Sequence, residues 1–236
     1  MNRESVIMIN ILACDDDRDI VKALKIYLSA EGFNVIEANT GAQAVEAIEK
    51  NDIKLVLMDV MMPEMDGIDA TVKIREKYNM PIIMLTAKDE YPDKILGLQI
   101  GADDYITKPF NPIEVVARVK SQIRRFTQLG SEIQKDDVYI NGGLKVDDKS
   151  KMIFVDGECV NVTPTEYAII KLFVQNPGEV ISPKEIYKRV WNDDPFGTEN
   201  TVLVHIRHIR EKIEIDPSNP RYIVAVWGHG YKMEKR

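Results

Sequence analysis

From residue 6 to about 125, short apolar runs alternate with stretches in which apolar residues recur every three or four positions. In order these are "VIMINILAC", 18 to 30, "NVIEA", 42 to 50, "KLVLMD", 67 to 78, "PIIMLT", 92 to 100, "DYITK" and 112 to 126. Five strands alternating with five helices predict a parallel sheet covered on both faces. Covering both faces explains why "LVLM" and "IIML" do not alternate with polar residues. In the last helix Val115, Val116, Val119 and Ile123 recur at helical spacing around Arg118, Lys120 and Arg124.

After Arg125 the rhythm changes. "FTQLGSEIQKDD" is polar and has no sustained period, so it is expected to link two domains. Strand-like pieces follow, "VYI", "GLKV", "DDKSK" and "MIFVDGECVNV", the last with a "DG" hairpin signature. Three helices come next. "TPTEYAIIKLFVQN" opens with Thr163 as N-cap, Pro164 and a capping-box Glu166; "SPKEIYKRVW" has the same Ser-Pro start; "ENTVLVHIRHIREKI" is the third. "RYIVAVWGHGYKMEK" closes the chain as a hairpin around Gly228 and Gly230. The expected divisions are 6–126, a linker over 127–137, and 138–236.

Length and composition agree with two ordinary globular domains: 236 residues, 44% hydrophobic and 29% charged. The apolar runs are shorter than the roughly 18 residues that a membrane span needs. The apolar stretch at the start runs into Asp15, Asp16 and Asp17 without a small-residue cleavage site, so it is expected to be a first strand and not a signal peptide. Cys14 and Cys159 lie far apart with no metal-binding spacing, which suits reduced thiols and a cytoplasmic protein. The net charge of −7 excludes a protein that coats nucleic acid along its whole surface. Residues 199 to 236, however, hold seven basic against five acidic side chains.

In an open parallel sheet, ligands bind outside the carboxyl ends of the strands. There the pattern places Asp15, Asp16 and Asp17 after the first strand, Asp59 at the end of the third, Thr86 at the end of the fourth and Lys108 after the fifth. Converging carboxylates repel one another unless a cation neutralises them. An all-oxygen set favours Mg²⁺ over Zn²⁺, since the nearby Cys14 should point inward. With a hydroxyl and an ammonium added, the site suits a phosphoryl group, and Asp59 becomes a candidate nucleophile. Asp17 is expected to cap the following helix.

Residues 8 to 126 resemble the receiver domain of two-component response regulators, with "DDD", "LVLMDVMMPEMDG", "LTAK" and "GADDYITKPF" in order and in register. The resemblance implies a flavodoxin-like (CheY-like) doubly wound fold and phosphorylation of Asp59 by a sensor histidine kinase. It implies Mg²⁺ held by Asp15, Asp16, Asp59 and the backbone carbonyl of Met61. Thr86 and Lys108 would contact the phosphoryl oxygens, and Tyr105 would change rotamer with Thr86. In this family the face near the fifth strand forms a symmetric dimer, here implied to pair Lys94 with Glu114, Asp104 with Arg118, and Asp103 with Arg125.

Residues 138 to 236 resemble the winged-helix DNA-binding domain of the OmpR/PhoB subfamily, on "VTPTEYAIIKLF", "TVLVHIRHIREKI" and "WGHGYKM". Val202, Ile206, Ile209 and Ile213 make the apolar stripe of its third helix, and no acid occurs from Asn200 to Arg210. That helix would enter the major groove, with Arg207, His208 and Arg210 on bases or phosphates and Thr201 and Lys212 on backbone phosphates. The loop "WNDDPFGTEN" would face RNA polymerase. The wing departs from the family in having Trp227 where an Arg is usual. Trp227 is open as half-buried core, with His229 or Lys232 supplying the phosphate contact. His205 and His208 are expected to face DNA or solvent.

Together these features predict a transcription factor that dimerises on phosphorylation and binds double-stranded promoter DNA. A haloacid-dehalogenase-type enzyme would need an acid two residues after its Asp nucleophile, and Met61 stands there. Only slow autodephosphorylation is expected. A degenerate receiver is not indicated, because each acid, Thr and Lys position is filled.

Overall fold

The computed structural model describes residues 8–87, 101–128, 138–192 and 199–236. The chain divides into two compact units, residues 1–123 and 124–236.

The first unit is a five-stranded parallel sheet in the order β2-β1-β3-β4-β5. Its strands are β1 (Asn10–Cys14), β2 (Asn34–Ala38), β3 (Ile53–Asp59), β4 (Ile82–Ala87) and β5 (Asp104–Lys108). The described helices are α1 (Arg18–Ala30), α2 (Gly41–Lys50), α3 (Gly67–Arg75) and α4 (Pro112–Gln128). The first strand is shorter than its apolar run, and α3 stops at Arg75, three residues before the expected end. The helix expected over 92–100 lies outside the described residues.

Alternation explains the two buried faces. Ile11, Ala13, Leu55, Leu57, Ile83 and Leu85 pack with Val21, Leu24 and Leu28 of α1 and Val115, Val119 and Ile123 of α4. The intervening Leu12, Cys14, Val56 and Met58 are equally buried, and a period of two points them at the other face. A buried Leu of this kind contributes about 1.5–3 kcal/mol relative to exposure. The helices start where short polar side chains satisfy free backbone N–H groups: Asp17 accepts from Asp19, Thr40 from Gln43, and Asp66 from Asp69.

The second unit opens with a four-stranded antiparallel sheet, β6 (Val138–Asn141), β7 (Leu144–Asp147), β8 (Met152–Val155) and β9 (Glu158–Val160). Of "DDKSK", Asp147 ends β7 and residues 148–151 form the β7–β8 turn, so the segment is not a strand of its own. Asp156 and Gly157 both take positive φ, as the "DG" hairpin requires. Helices α5 (Pro164–Gln175), α6 (Pro183–Trp191) and α7 (Glu199–Ile213) precede the hairpin β10 (Ile223–Val226) and β11 (Gly230–Met233). The capping box is present: Thr163 N–H donates to Glu166 Oε2 at 2.8 Å, and Glu166 N–H donates to Thr163 Oγ1 at 3.3 Å. Phe173, Ile186, Tyr187, Trp191, Val202, Ile206, Ile209, Ile213 and Ile223 belong to one core. Tyr231 exchanges two backbone hydrogen bonds with Ile181, and a Cβ at Gly230 would stand 2.2 Å from the Ile181 carbonyl oxygen. Only glycine permits that approach.

Candidate functional site

The strand order reverses between β1 and β3, and the acidic residues collect beside that point. Asp15 and Asp16 follow β1, Asp59 ends β3, and their ligand oxygens lie within 4.8 Å of one another. Among the described residues this is the one group of three or more acids, His or Cys so placed. Asp15 and Asp59 are buried, while Asp16 is exposed. Lys108, from the end of β5, brings its ammonium to 2.6 Å from Asp15 Oδ2 and 2.7 Å from Asp59 Oδ1. The contact with Asp15 is an ion pair without a directed hydrogen bond. Thr86, at the end of β4, is buried, and its hydroxyl donates weakly to the Ala87 carbonyl at 3.4 Å.

Three carboxylates face one ammonium, so the pocket carries excess negative charge. Burial pushes the Asp59 carboxyl up to about 6, against the Lys108 hydrogen bond and with help from Asp15 and Asp16. Burial also raises Asp15, again opposed by Lys108. For Lys108 burial acts to lower the pKa, but the carboxylates of Asp15 and Asp59 against its ammonium outweigh this and leave it raised. This electrostatic excess and the all-oxygen donors fit a hard divalent cation. Cys14 is no ligand: burial, then the three acids, push its thiol up to about 12, and Sγ contacts the Thr40 carbonyl and Met62 Sδ. The Met61 side chain is 62% exposed, so it does not fill the pocket.

Gly67 was not singled out by its sequence, yet it closes this site. A Cβ there would lie 1.9 Å from the Asp59 carbonyl oxygen, and Gly67 N–H donates to the Val60 carbonyl at 2.9 Å. The "DG" following the strand carried this signal, since Asp66 caps α3 and Gly67 lets α3 start against Asp59.

The charged residues near β5 behave differently from the cross-axis pairs expected of them. Asp103 is fully buried and accepts from Arg75 Nη2 at 2.8 Å and from Ile82 N–H at 3.0 Å. Its expected role on an exposed dimer face is corrected accordingly. Arg118 pairs within the chain, at 2.9 Å with the buried Asp104 and 3.0 Å with Glu114. Lys94 and the side chain of Arg125 lie outside the described residues. Tyr105 is half-buried on β5, in register with Met84.

Of the expected DNA contacts in the second unit, two are buried and two are held by other groups of the unit, Lys212 while remaining exposed. Thr201 and His208 are buried, the latter with its imidazole pKa lowered by burial. Arg210 Nε donates to the Ile223 carbonyl at 2.9 Å, and the guanidinium lies 5.5 Å from the Tyr231 ring centre. Lys212 Nζ reaches the buried Glu166 Oε2 at 2.6 Å. His205 is buried as well, its ring 5.6 Å from that of Trp191. On the exposed side are Arg207, Leu203 and Glu211, with Val204 half-buried. His229 is exposed, and Trp227 is 96% exposed, which rules out half-buried core. Glu214, unremarked in the sequence, accepts from the N–H groups of Arg221, Tyr222 and Ile223 at 2.7, 2.8 and 3.0 Å. Glu214 and Arg210 thus tie α7 to the start of β10. Most of the "WNDDPFGTEN" loop lies outside the described residues.

Comparison with known proteins agrees with both halves. Residues 11–120 match the family described as response regulator receiver domain, and residues 157–233 match transcriptional regulatory protein, C terminal. The regulatory protein VanR of Enterococcus faecium is 42% identical over 227 residues, covering 95% of this chain and 98% of VanR. The transcriptional regulatory protein SrrA of Staphylococcus aureus is 40% identical over 228 residues, covering 95% of each chain. A mutant of RitR shares the fold with a TM-score of 0.77 at 22% identity, over 97% of this chain and 100% of that one. DrrB of Thermotoga maritima, described as an OmpR/PhoB homolog, is 31% identical over 96% of this chain and 99% of its own, with a TM-score of 0.50. A CheY-like receiver followed by a winged-helix domain, with relatives of this kind along nearly the whole chain, makes the protein a member of the OmpR/PhoB-type two-component response regulators, which regulate transcription by binding DNA.

Proposed function

We propose that Asp59 is the phosphoacceptor, that a sensor histidine kinase is the donor, and that phosphorylation drives dimerisation and promoter binding. The observation that carries this reading is the meeting of Asp15, Asp16, Asp59, Thr86 and Lys108 at one edge of the sheet. With a pKa of about 6, Asp59 is mostly ionised at neutral pH and can act as a nucleophile. A carboxylate oxygen forms a bond to phosphorus while the bond from phosphorus to the kinase imidazole nitrogen breaks. The electron pair returns to that nitrogen, which takes up a proton from solvent. Lys108 meets the negative charge of the transferred group, and the Thr86 hydroxyl turns to donate to it. Tyr105 changes rotamer as Thr86 moves.

Mg²⁺ would be held by Asp15, Asp16, Asp59 and the Met61 backbone carbonyl, and when bound it supplies the positive charge that the pocket lacks. Met61 offers no side-chain acid two residues after Asp59, so the aspartyl phosphate persists and autodephosphorylation is slow. The dimer uses the face bearing Glu114 and Arg118, with Lys94 as the expected partner of Glu114. Arg125 remains an expected member of that face. In the second unit Arg207 and His229 approach DNA, and RNA polymerase is the further partner. The protein works in the cytoplasm; among the described residues no helix is long and apolar enough to cross a membrane.

Beryllofluoride or acetyl phosphate with Mg²⁺ raises the dimer fraction on gel filtration, and Asp59→Ala abolishes the response. An unaltered wild-type elution volume contradicts the proposal.

A further inference from the structure

We propose that this protein reads DNA through an apolar surface shared by α7 and the wing, with Leu203 against thymine methyl groups and Trp227 against deoxyribose and base edges of the adjoining minor groove. This rests on the second unit being a DNA-binding domain, and it names what that domain recognises.

The polar residues that a recognition helix would ordinarily present are engaged elsewhere. Thr201, His205 and His208 are buried, Arg210 holds the Ile223 carbonyl, and Lys212 holds Glu166. Among the described residues, what the first three turns of α7 offer outward is Leu203, 42% exposed, the half-buried Val204, and Arg207, whose Nε donates to Glu211 at 3.0 Å; Glu211 and Lys212 are exposed further along, in the last turn. In the major groove a branched hydrocarbon distinguishes one base by contact, because only thymine carries a 5-methyl group there.

Trp227 is the most exposed large apolar side chain among the described residues. Its turn is fixed: His229 N–H donates to the Val226 carbonyl at 2.9 Å, His229 Nδ1 lies 2.8 Å from the Trp227 carbonyl, and Gly230 is wedged against Ile181. The indole is therefore presented on a rigid hairpin, so little ordering is needed on contact. Trp227 and Leu203 also border one hollow of about 450 Å³, together with Lys184, Ala225, Val226 and Tyr231. A helix in the major groove and a wing in the minor groove must straddle one sugar-phosphate strand. The hollow supplies apolar walls for its sugars, and Lys184 adds a positive charge to its lining. Lys184 in the wall and Arg207 one helical turn from Leu203 favour this polyanion over a neutral protein partner.

The test uses the full chain. Bound duplexes are selected from a randomised library, and the preferred duplex is remade with deoxyuridine replacing thymidine one position at a time. At one or two positions, loss of the methyl weakens wild-type binding about fourfold, as burial of one such group implies. Leu203→Ala binds the two duplexes equally. Trp227→Ala weakens binding on the order of tenfold with an unchanged salt slope, since no charge is removed. Both side chains are solvent-exposed, and an unchanged melting temperature verifies that the variants fold. Deoxyuridine costing nothing anywhere, or costing Leu203→Ala as much as wild type, overturns the role of Leu203. Wild-type affinity in Trp227→Ala overturns the role of the wing. A library with no retained duplex would instead overturn DNA binding itself.

Discussion

The Lys108 ammonium lies 2.7 Å from Asp59 Oδ1, so the proposed phosphoacceptor is held by the cation that would later meet its phosphoryl group. The same ammonium touches Asp15, and it therefore competes with a metal ion for both acids. Lys108→Met is expected to bind Mg²⁺ more tightly, on the order of tenfold, given about 4 kcal/mol for a unit charge pair at 4 Å before screening. It is expected to accept phosphate on the order of a hundredfold more slowly, as when one charge-stabilising donor is lost. Calorimetric titration with Mg²⁺ checks the first effect; weaker binding would show that Lys108 supports the metal site instead of competing with it.

Asp103 belongs to the fold of the receiver. Its carboxylate joins Arg75 of α3 to the start of β4, and Arg75 further donates to the Gly101 and Met80 carbonyls at 2.8 and 2.7 Å. Removing one partner of a buried ion pair costs about 3–5 kcal/mol. Asp103→Ala should lower the urea midpoint of the receiver by that amount of stability. A variant of undiminished stability with a weakened dimer would return Asp103 to the interface.

In the second unit, Asp148 gathers Tyr167 Oη at 2.6 Å, Lys151 Nζ at 2.6 Å and Lys171 Nζ at 2.9 Å. Burial acts to raise its pKa, but these donors outweigh it and bring the carboxyl from 3.8 down to about 2. The group gives up protons more readily folded than unfolded, so it stabilises the fold above pH 3.8, and the contribution disappears as pH falls through 2. Asp148→Asn is expected to cost on the order of 2 kcal/mol at pH 7 and almost nothing near pH 2. Unfolding of the second unit followed at several pH values measures this, and a cost independent of pH would contradict it.

Arg207 and Arg210 stand one turn apart on α7, but only Arg207 is exposed. Arg207→Ala should reduce the slope of log affinity against log salt by about one, as for one lost phosphate contact. Arg210→Ala should weaken binding at every salt concentration with the slope unchanged, because its role is to hold the Ile223 carbonyl and the Tyr231 ring in place. A reduced slope in Arg210→Ala would make it a phosphate contact after all.

The sequence made the order of elements legible because local chemistry decides it. Thr163 and Ser182 cap the helices that their Ser/Thr-Pro starts predict, and "LVLM" lies in the middle of the sheet, ending on Asp59. The acidic pocket was legible because topology brings strand ends together wherever the individual side chains point. What escaped were orientations set by distant partners. Asp103 and Asp104 are neighbours of like charge, yet one binds Arg75 and the other Arg118. The apolar stripe of α7 was correct but too narrow: Trp191 takes in His205, Glu166 draws Lys212, and the approach of β10 captures Arg210 and Glu214. A polar residue beside such a stripe faces outward only if no neighbouring element has a use for it.

The central claim is that Asp59 receives phosphate and thereby controls DNA binding. Its most direct test is to treat wild type and Asp59→Asn with acetyl phosphate and Mg²⁺, measuring intact mass and affinity for a selected duplex on the same samples. The wild type should gain the mass of one phosphoryl group, located by peptide mapping to Asp59, and bind DNA more tightly, while Asp59→Asn does neither. Phosphate on another residue, or tighter DNA binding by Asp59→Asn under the same treatment, would contradict the account.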